Sequence, residues 1–157
     1  MSGTEPGNIA RPLPAFFTAW RDGWGPQAAA WVPVDFLNQA SSLPATIAAG
    51  WLFNPGTVEY RSGIFLADRF DATTVDSWFE RYPQEPGRIE AVVNQWALDD
   101  MFANCDLTPY EDALPTLARD IAACWRAVLA QRYPGRAIQV EIADGPAVTF
   151  WTVAPQA

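Results

Sequence analysis

The sequence predicts an α+β fold, a single domain in which a roughly four-stranded, mostly antiparallel sheet packs on helices. The first reason is Thr108–Tyr133, whose apolar residues recur every three or four positions, the period of one helix face. The second is a pair of alternating runs, Ala137–Ile142 and Val148–Val153, which flank the turn dipeptide Asp144-Gly145 and predict a C-terminal β-hairpin. The third is an Ala-rich, aromatic N-terminal third, which predicts short helices.

The chain begins with a predicted flexible arm. Residues 1–14 hold three prolines and little apolar pattern, which is typical of a mobile terminus, so the folded domain is predicted to span residues 15–157. Ala15–Trp20 predicts a short helical turn. Two short helices, Val34–Gln39 and Ala45–Phe53, are predicted to follow, each beginning just after a proline.

The middle of the chain is predicted to alternate between strand and helix. Thr57–Ala67 alternates apolar and polar residues, as a strand with one solvated face would, and Gly63 would mark a bulge. A helix capped by Asp71 or Thr73 is predicted next, and it should end at Pro83.

The segment after this helix allows two interpretations. Apolar residues alternate with other residues in Ile89–Val93, and the β-branched centre favours a strand, which we predict. A helix over Arg88–Phe102 is the competing interpretation, because the apolar residues also fit a helical period loosely. Leu98–Phe102 is predicted to turn helical briefly before the long helix.

A proline lies near the start of the long helix. Thr108 can cap the helix, and Pro109 suits the first helical position. Pro115 removes one helical hydrogen bond and clashes with the preceding turn. The helix therefore either kinks at Pro115 or begins near Leu114, after a short capped turn.

Charge and composition limit the function classes. The chain contains ten Arg and no Lys but eighteen Asp and Glu residues, so its net charge is −8. An acidic surface repels phosphates and anionic lipid, so direct binding to nucleic acid or membrane is disfavoured, although acidity can also serve solubility alone. Histidine is absent, which removes the most common general base and metal ligand. We predict no cofactor and no metal.

The cysteines and the apolar runs predict a cytoplasmic protein. Cys105 and Cys124 form no CxxC motif, and no histidine is present to activate a thiol. Unpaired thiols suit a reducing compartment, and no apolar run approaches the length of a membrane span. Exclusive use of Arg together with many Ala is typical of a GC-rich bacterial genome.

The clearest charge feature is an acidic segment, residues 99–112, which contains no Arg. Its carboxylates could form one electronegative patch that attracts a basic partner. A divalent cation is a second possibility, although the spacing departs from a calcium-binding loop. In the third interpretation, some of these acids lie at a helix start, where the helix dipole favours carboxylates, and the others are ordinary solvated loop residues. The carboxylates are Asp99, Asp100, Asp106, Glu111 and Asp112.

Eight tryptophans form the second feature. Most fall on apolar faces, where a core role is the usual one. Trp24, between two glycines, and Trp96, just before the acidic segment, are the candidates for exposure. An exposed Trp beside carboxylates resembles a binding hot spot with a charged rim.

Little in the sequence predicts catalysis. Glu59 and Glu90 could share a cleft as hydrolytic acid pairs do, provided that they lie on neighbouring strands. Solvent-facing strand acids are the alternative. Ser62 and Ser77 lack any His, Lys or GxSxG context that would activate them.

We therefore predict a non-catalytic acidic protein-binding module, most concretely an immunity-type inhibitor that covers a basic surface of a toxin or nuclease. One alternative is a carboxylate-based enzyme or small-ligand binder with a Trp-lined pocket, using Tyr60 or Tyr110. Another is a structural subunit that uses its apolar N-terminal third as a contact. A homodimer through an edge strand at Val148–Val153 is also possible. The predicted contact residues are Trp96, Asp99, Asp100, Asp106, Glu111 and Asp112.

Overall fold

The computed structural model describes residues 11–143 and 145–154, and these residues form an α+β domain, as predicted. The helices are α1 (Ala15–Gly23), α2 (Pro33–Ala40), α3 (Leu43–Phe53), α4 (Ala72–Arg81), α5 (Pro86–Val93), α6 (Leu98–Met101) and α7 (Leu114–Arg132). The strands are β1 (Thr57–Tyr60), β2 (Gly63–Leu66), β3 (Trp96–Ala97), β4 (Ile138–Ala143) and β5 (Ala147–Thr152). Short 3₁₀ turns occupy Pro26–Ala28 and Thr108–Tyr110. None of the helices in this part of the chain is long and apolar enough to cross a membrane.

The predicted N-terminal helices are confirmed. α2 starts at Pro33, and the Asp35 carboxylate accepts a hydrogen bond from the Val32 N–H at 2.8 Å. α3 is capped by the Ser42 hydroxyl, which accepts from the Ala45 N–H at 3.2 Å. Residues 1–10 of the predicted arm lie outside the described residues.

The strand predicted over Thr57–Ala67 is wrong, because this segment is a hairpin. β1 and β2 pair antiparallel, with Tyr60 opposite Gly63, and Arg61 in the connecting turn has a φ of 52°. Gly63 is no bulge: a Cβ there would lie 2.7 Å from the Phe65 ring. The turn interrupts the strand but preserves the alternation on either side of it, so the pattern alone did not reveal the hairpin.

The strand predicted over Ile89–Val93 is also wrong, because these residues belong to helix α5. Pro86 occupies the first turn of α5, and Ile89 and Glu90 are buried on its inner face. The competing helical interpretation is correct in kind, but α5 ends at Val93. Tertiary contacts therefore override the β-branched composition.

The long helix begins at Leu114, the second of the two predicted possibilities. Pro115 lies in the first turn of α7, where its missing N–H costs no helical bond. α7 carries the main core, with Ile121, Trp125 and Leu129 fully buried against both sheets. The Trp125 indole N–H donates to the Leu52 carbonyl at 2.7 Å and so ties α3 to this core.

The C-terminal hairpin is confirmed. β4 pairs antiparallel with β5 from Ile138 opposite Thr152 to Ala143 opposite Ala147. The order of this sheet is β3-β5-β4, so β5 is its central strand. The prediction that Val148–Val153 is an edge strand is therefore wrong, and the homodimer stays a prediction.

Five strands in the described residues form two antiparallel sheets, β1-β2 and β3-β5-β4, where one sheet of about four strands was expected. Helix α5 fills the gap between β2 and β5. Glu90 is fully buried there, and its carboxylate accepts from the Ile64 N–H at 2.7 Å and from the Thr152 N–H at 2.8 Å. The Thr152 hydroxyl donates to the same carboxylate at 2.7 Å.

Asn94, one helical turn after Glu90, repeats this arrangement. Its side-chain oxygen accepts from the Leu66 N–H at 2.8 Å, and its amide nitrogen donates to the carbonyls of Ile64 at 2.9 Å and Phe150 at 3.2 Å. Two buried side chains, Glu90 of α5 and Asn94 just after its last residue, thus satisfy the edge groups that a further strand would pair. They join the two sheets into one continuous layer.

Candidate functional site

The carboxylates of the acidic segment are all exposed. Asp99 and Asp100 lie in α6, and Glu111 follows the Thr108–Tyr110 turn. None of these three acids forms an ion pair with an arginine in the part of the chain that the structure describes. The three side chains are therefore free to meet a basic partner.

Two further acids of the segment also have local structural roles. The Asp106 carboxylate accepts from the Thr108 N–H at 3.1 Å and closes a turn. The Asp112 carboxylate accepts from the Ala15 N–H at 2.9 Å, at the start of α1. Asp106 and Asp112 thus fit the interpretation of ordinary structural acids in part, because each carboxylate accepts a hydrogen bond from a backbone N–H of the fold.

An apolar pocket of about 290 Å³ lies under this segment. Phe16 comes from α1, and Leu114 and Leu117 come from the first turn of α7. The remaining lining comes from the acidic segment and its flanks. Those residues are Phe102, Cys105, Leu107, Tyr110 and Ala113. The segment therefore turns its apolar side chains inward over α7 and its carboxylates outward.

Three exposed acids are chain neighbours of residues that line the apolar pocket. Asp106 lies between Cys105 and Leu107, and Glu111 and Asp112 lie between Tyr110 and Ala113. An apolar centre with a polar rim is the usual anatomy of a protein–protein hot spot. With its apolar lining, the pocket is suited to one large apolar side chain.

Trp96, predicted as a contact residue, lies outside this pocket. It is half-buried in β3, and its ring stacks on Trp125 with centroids 5.9 Å apart. Trp24, the other candidate for exposure, is 46% exposed and packs against Trp31 at 5.4 Å. The lining of the apolar pocket thus includes chain neighbours of Asp106, Glu111 and Asp112, and it includes neither tryptophan.

The arrangements considered for catalysis and for a metal are not assembled among residues 11–143 and 145–154. No group of three or more His, Cys, Asp or Glu residues there could hold a metal ion. Glu59 is exposed on β1, whereas Glu90 is buried on α5 with both oxygens engaged. The two acids are not on neighbouring strands, so the proposed acid pair is wrong.

Two residues with shifted pKa values, Asp71 and Arg61, are not part of the lining of the apolar pocket. The pKa of Asp71 is lowered, mainly because its carboxylate accepts from the Thr74 N–H at 2.8 Å at the start of α4. The pKa of Arg61 is raised, chiefly by its side-chain hydrogen bond to Asp76. Both effects stabilise local structure.

A second concave feature, an open groove of about 660 Å³, was not anticipated from the sequence. Arg88, Arg136 and Trp151 line it, and the Arg136 guanidinium donates to the Ser62 carbonyl at 2.7 Å. Its residues are far apart in the chain, from Ser62 to Ala154, so no local pattern could have revealed it.

Exposed apolar side chains on α2 and α3 are the third feature. They are Val34 and Leu37 of α2 and Leu43, Ile47 and Trp51 of α3, which are 69, 50, 71, 56 and 65% exposed. The sequence carried a signal for it, because Asp35 is the only charged residue between Asp22 and Glu59.

Comparison with protein-family models, with curated proteins and with solved structures finds no match to this chain.

Proposed function

We propose that this chain is a non-catalytic, acidic protein-binding module that docks on a basic surface of a partner protein. The observation that carries the proposal is the apolar pocket of about 290 Å³ inside a segment whose carboxylates are exposed. The chain has no basic residue between Arg88 and Arg119, so the acidic segment itself carries only negative side chains.

In this mode of binding the pocket and the exposed acids have separate roles. A large apolar side chain of the partner enters the pocket beside the rings of Phe16 and Tyr110, which pack edge to face, and provides most of the affinity. Arg or Lys side chains beside it meet Asp99, Asp100 and Glu111. These charges accelerate encounter and select against acidic partners.

The most concrete form of the proposal is an immunity-type inhibitor of a toxin or nuclease. A nuclease must present a basic cleft to bind phosphates, and an acidic module of this size can cover such a cleft. The net charge of −8 supports this choice of partner. We place the protein in the bacterial cytoplasm, a reducing compartment in which the free thiols of Cys105 and Cys124 persist.

The proposal is tested by capture from an extract of the native host. A tagged chain is compared with a triple variant, Asp99→Arg, Asp100→Arg and Glu111→Arg, whose replaced side chains form no ion pair with an arginine of the described chain. We expect a basic protein to be captured by the wild type and lost with the variant.

A matched control carries the same charge change elsewhere. Glu59, Glu80 and Glu141 are also exposed, and their replacement by Arg alters net charge equally. The control should retain the partner. A partner held equally well by both triple variants would contradict docking through the acidic segment.

A second candidate function, small-ligand binding, is favoured by the open groove of about 660 Å³. Arg136 supplies a guanidinium there and Trp151 an aromatic surface, which suits a carboxylate or phosphate ligand, whereas Arg88 already pairs with Glu85 at 3.2 Å. Thermal unfolding with and without inorganic phosphate tests this candidate. A rise in Tm that Arg136→Gln abolishes would support it, and an unchanged Tm would contradict it.

A further inference from the structure

We propose that α1 and α2 form a hinged lid, which swings away from the apolar pocket and opens it into a groove. We call residues 11–40 the lid and residues 43–143 and 145–154 the body. Phe16 of the lid is one wall of the pocket, and its ring packs edge to face on Tyr110 of the body at 5.3 Å. The other lining residues of the pocket all lie between residues 102 and 117. Movement of the lid therefore changes how much of this apolar surface a second molecule can reach.

The lid has an aromatic cluster of its own. The Trp20 ring lies 5.7 Å from Phe17 and 5.3 Å from Trp31, measured between centroids. Phe36 of α2 joins this cluster to α1, because its ring lies 5.0 Å from Trp20 and 5.6 Å from Phe16. Among the described residues, the two buried core clusters of the domain contain no residue of the lid. The helices α1 and α2 are thus held together by their own packing, as a cooperative unit requires.

Few polar contacts fasten the lid to the body. The described residues of the lid and the body share two hydrogen bonds, and a carboxylate of the body accepts both. Asp112 accepts from the Ala15 N–H at 2.9 Å, and Asp120 of α7 pairs with the Arg11 guanidinium. Both contacts are exposed, and an exposed ion pair contributes little net stability. The closed lid is therefore easier to undo than the core around α7.

The link between α2 and α3 is the place where the lid can hinge. Ser41 and Ser42 both have extended backbone, with ψ of 157° and 130°. Ser42 is fixed to α3, since its hydroxyl caps that helix through the Ala45 N–H. The helix α3 is in turn tied to the body by the hydrogen bond from Trp125 to the Leu52 carbonyl. Rotation at Ser41 therefore moves the lid and leaves α3 in place.

Opening releases groups that the closed lid occupies. The departure of Phe16 uncovers the pocket side of Leu114 and Leu117 on α7. Asp112 and Asp120 lose their lid partners at the same time. A protein with basic and apolar side chains then binds the open form better than the closed one and shifts the population toward it. This gain in affinity rests on the proposed function, whereas the opening itself does not.

Hydrogen–deuterium exchange of the full chain without a partner, measured by mass spectrometry, tests the lid. We expect the protected amides of α1 and α2 to exchange at least about 100-fold faster than those of residues 121–129 in α7. Asp112→Ala removes the acceptor of the Ala15 N–H, so exchange should become roughly 10-fold faster in both helices and stay unchanged in α7. The response of α2 is decisive, because α2 forms no hydrogen bond to Asp112 and responds only if the two helices open together.

Two matched variants control for the change at Asp112. Asp112→Asn keeps an oxygen that can accept from the Ala15 N–H, so exchange in the lid should match the wild type. Asp106→Ala removes another exposed acid of the same segment, one that bonds the Thr108 N–H within the body, and should also leave the lid unchanged. Unchanged exchange in α7 shows that the body of each variant is folded.

The lid would be overturned if α1 and α2 of the wild type were as protected as α7. Acceleration by Asp112→Ala that is confined to α1 would also overturn it, because a frayed helix end, and not a joint movement of two helices, would then explain the exchange. A chain that shows no joint opening but captures a basic host partner would contradict the lid alone and leave the proposed function intact.

Discussion

Removal of the Glu90 carboxylate should destabilise the domain more than any change at an exposed acid. Glu90 is the fully buried acid that joins β2 to β5, and it accepts three hydrogen bonds. Glu90→Ala leaves the N–H groups of Ile64 and Thr152 and the Thr152 hydroxyl without this acceptor. Glu90→Gln keeps one acceptor oxygen but places an NH₂ group against a donor.

The size of the effect follows from these three donors. Each buried donor left without a partner costs about 1–3 kcal/mol. Glu90 lines the open groove, so water that enters in its place satisfies part of the loss, and the lower end of the range applies. We expect a loss of about 3 kcal/mol for Glu90→Ala and about 1–2 kcal/mol for Glu90→Gln. These losses are large against a total domain stability of roughly 5–15 kcal/mol.

Urea unfolding followed by tryptophan fluorescence measures these free energies. Glu59→Ala is the matched control, since Glu59 is an exposed acid on the adjoining hairpin and should change the free energy of unfolding by less than about 0.5 kcal/mol. The m-value should be unchanged, because the same surface is exposed on unfolding. If Glu90→Ala matched Glu59→Ala, the three hydrogen bonds would not hold the two sheets together.

Three further outcomes are expected. Asp71→Asn keeps the helix cap but does not titrate. Because the folded-state pKa of Asp71 is lowered, the wild type should lose stability relative to this variant as pH falls below the usual value of 3.8 and through the folded-state pKa. Acid unfolding followed by circular dichroism measures this difference. Gly63→Ala should lower the free energy of unfolding by about 1–3 kcal/mol, since its Cβ would lie 2.7 Å from the Phe65 ring, whereas Gly135→Ala, with no atom within 4 Å, should be nearly neutral in urea unfolding. Tyr110→Ala, in the wall of the apolar pocket, should weaken capture of the host partner without changing Tm by more than a few degrees.

The parts of the fold that sequence predicted are those with a long local signal. The period of α7 and the alternation around the C-terminal hairpin extend over enough residues to identify helix and strand. The eight residues of α5 have a β-branched centre, and their pattern was compatible with either a strand or a helix. The choice was decided by distant partners, because Glu90 and Asn94 reach backbone groups of β2 and β5 that no local pattern contains.

The candidate site was predictable only as a segment. The run of acids from Asp99 to Asp112 was visible in the sequence, as was its lack of arginine. The apolar pocket was not, because Phe16 and Leu117 reach it from helices far apart in the chain. Trp96 was expected at the surface because it precedes the acids, but its ring stacks on Trp125 of α7.

The most direct test of the central claim is the affinity of the captured host partner, measured by isothermal titration calorimetry. Reversal of Asp99, Asp100 and Glu111 to Arg should weaken binding at least about 100-fold, equivalent to roughly 2.7 kcal/mol, since each reversal turns an attraction into a repulsion. The control reversal of Glu59, Glu80 and Glu141 should change it by less than about threefold. Equal loss in both variants would mean that net charge alone, and not the acidic segment, governs binding.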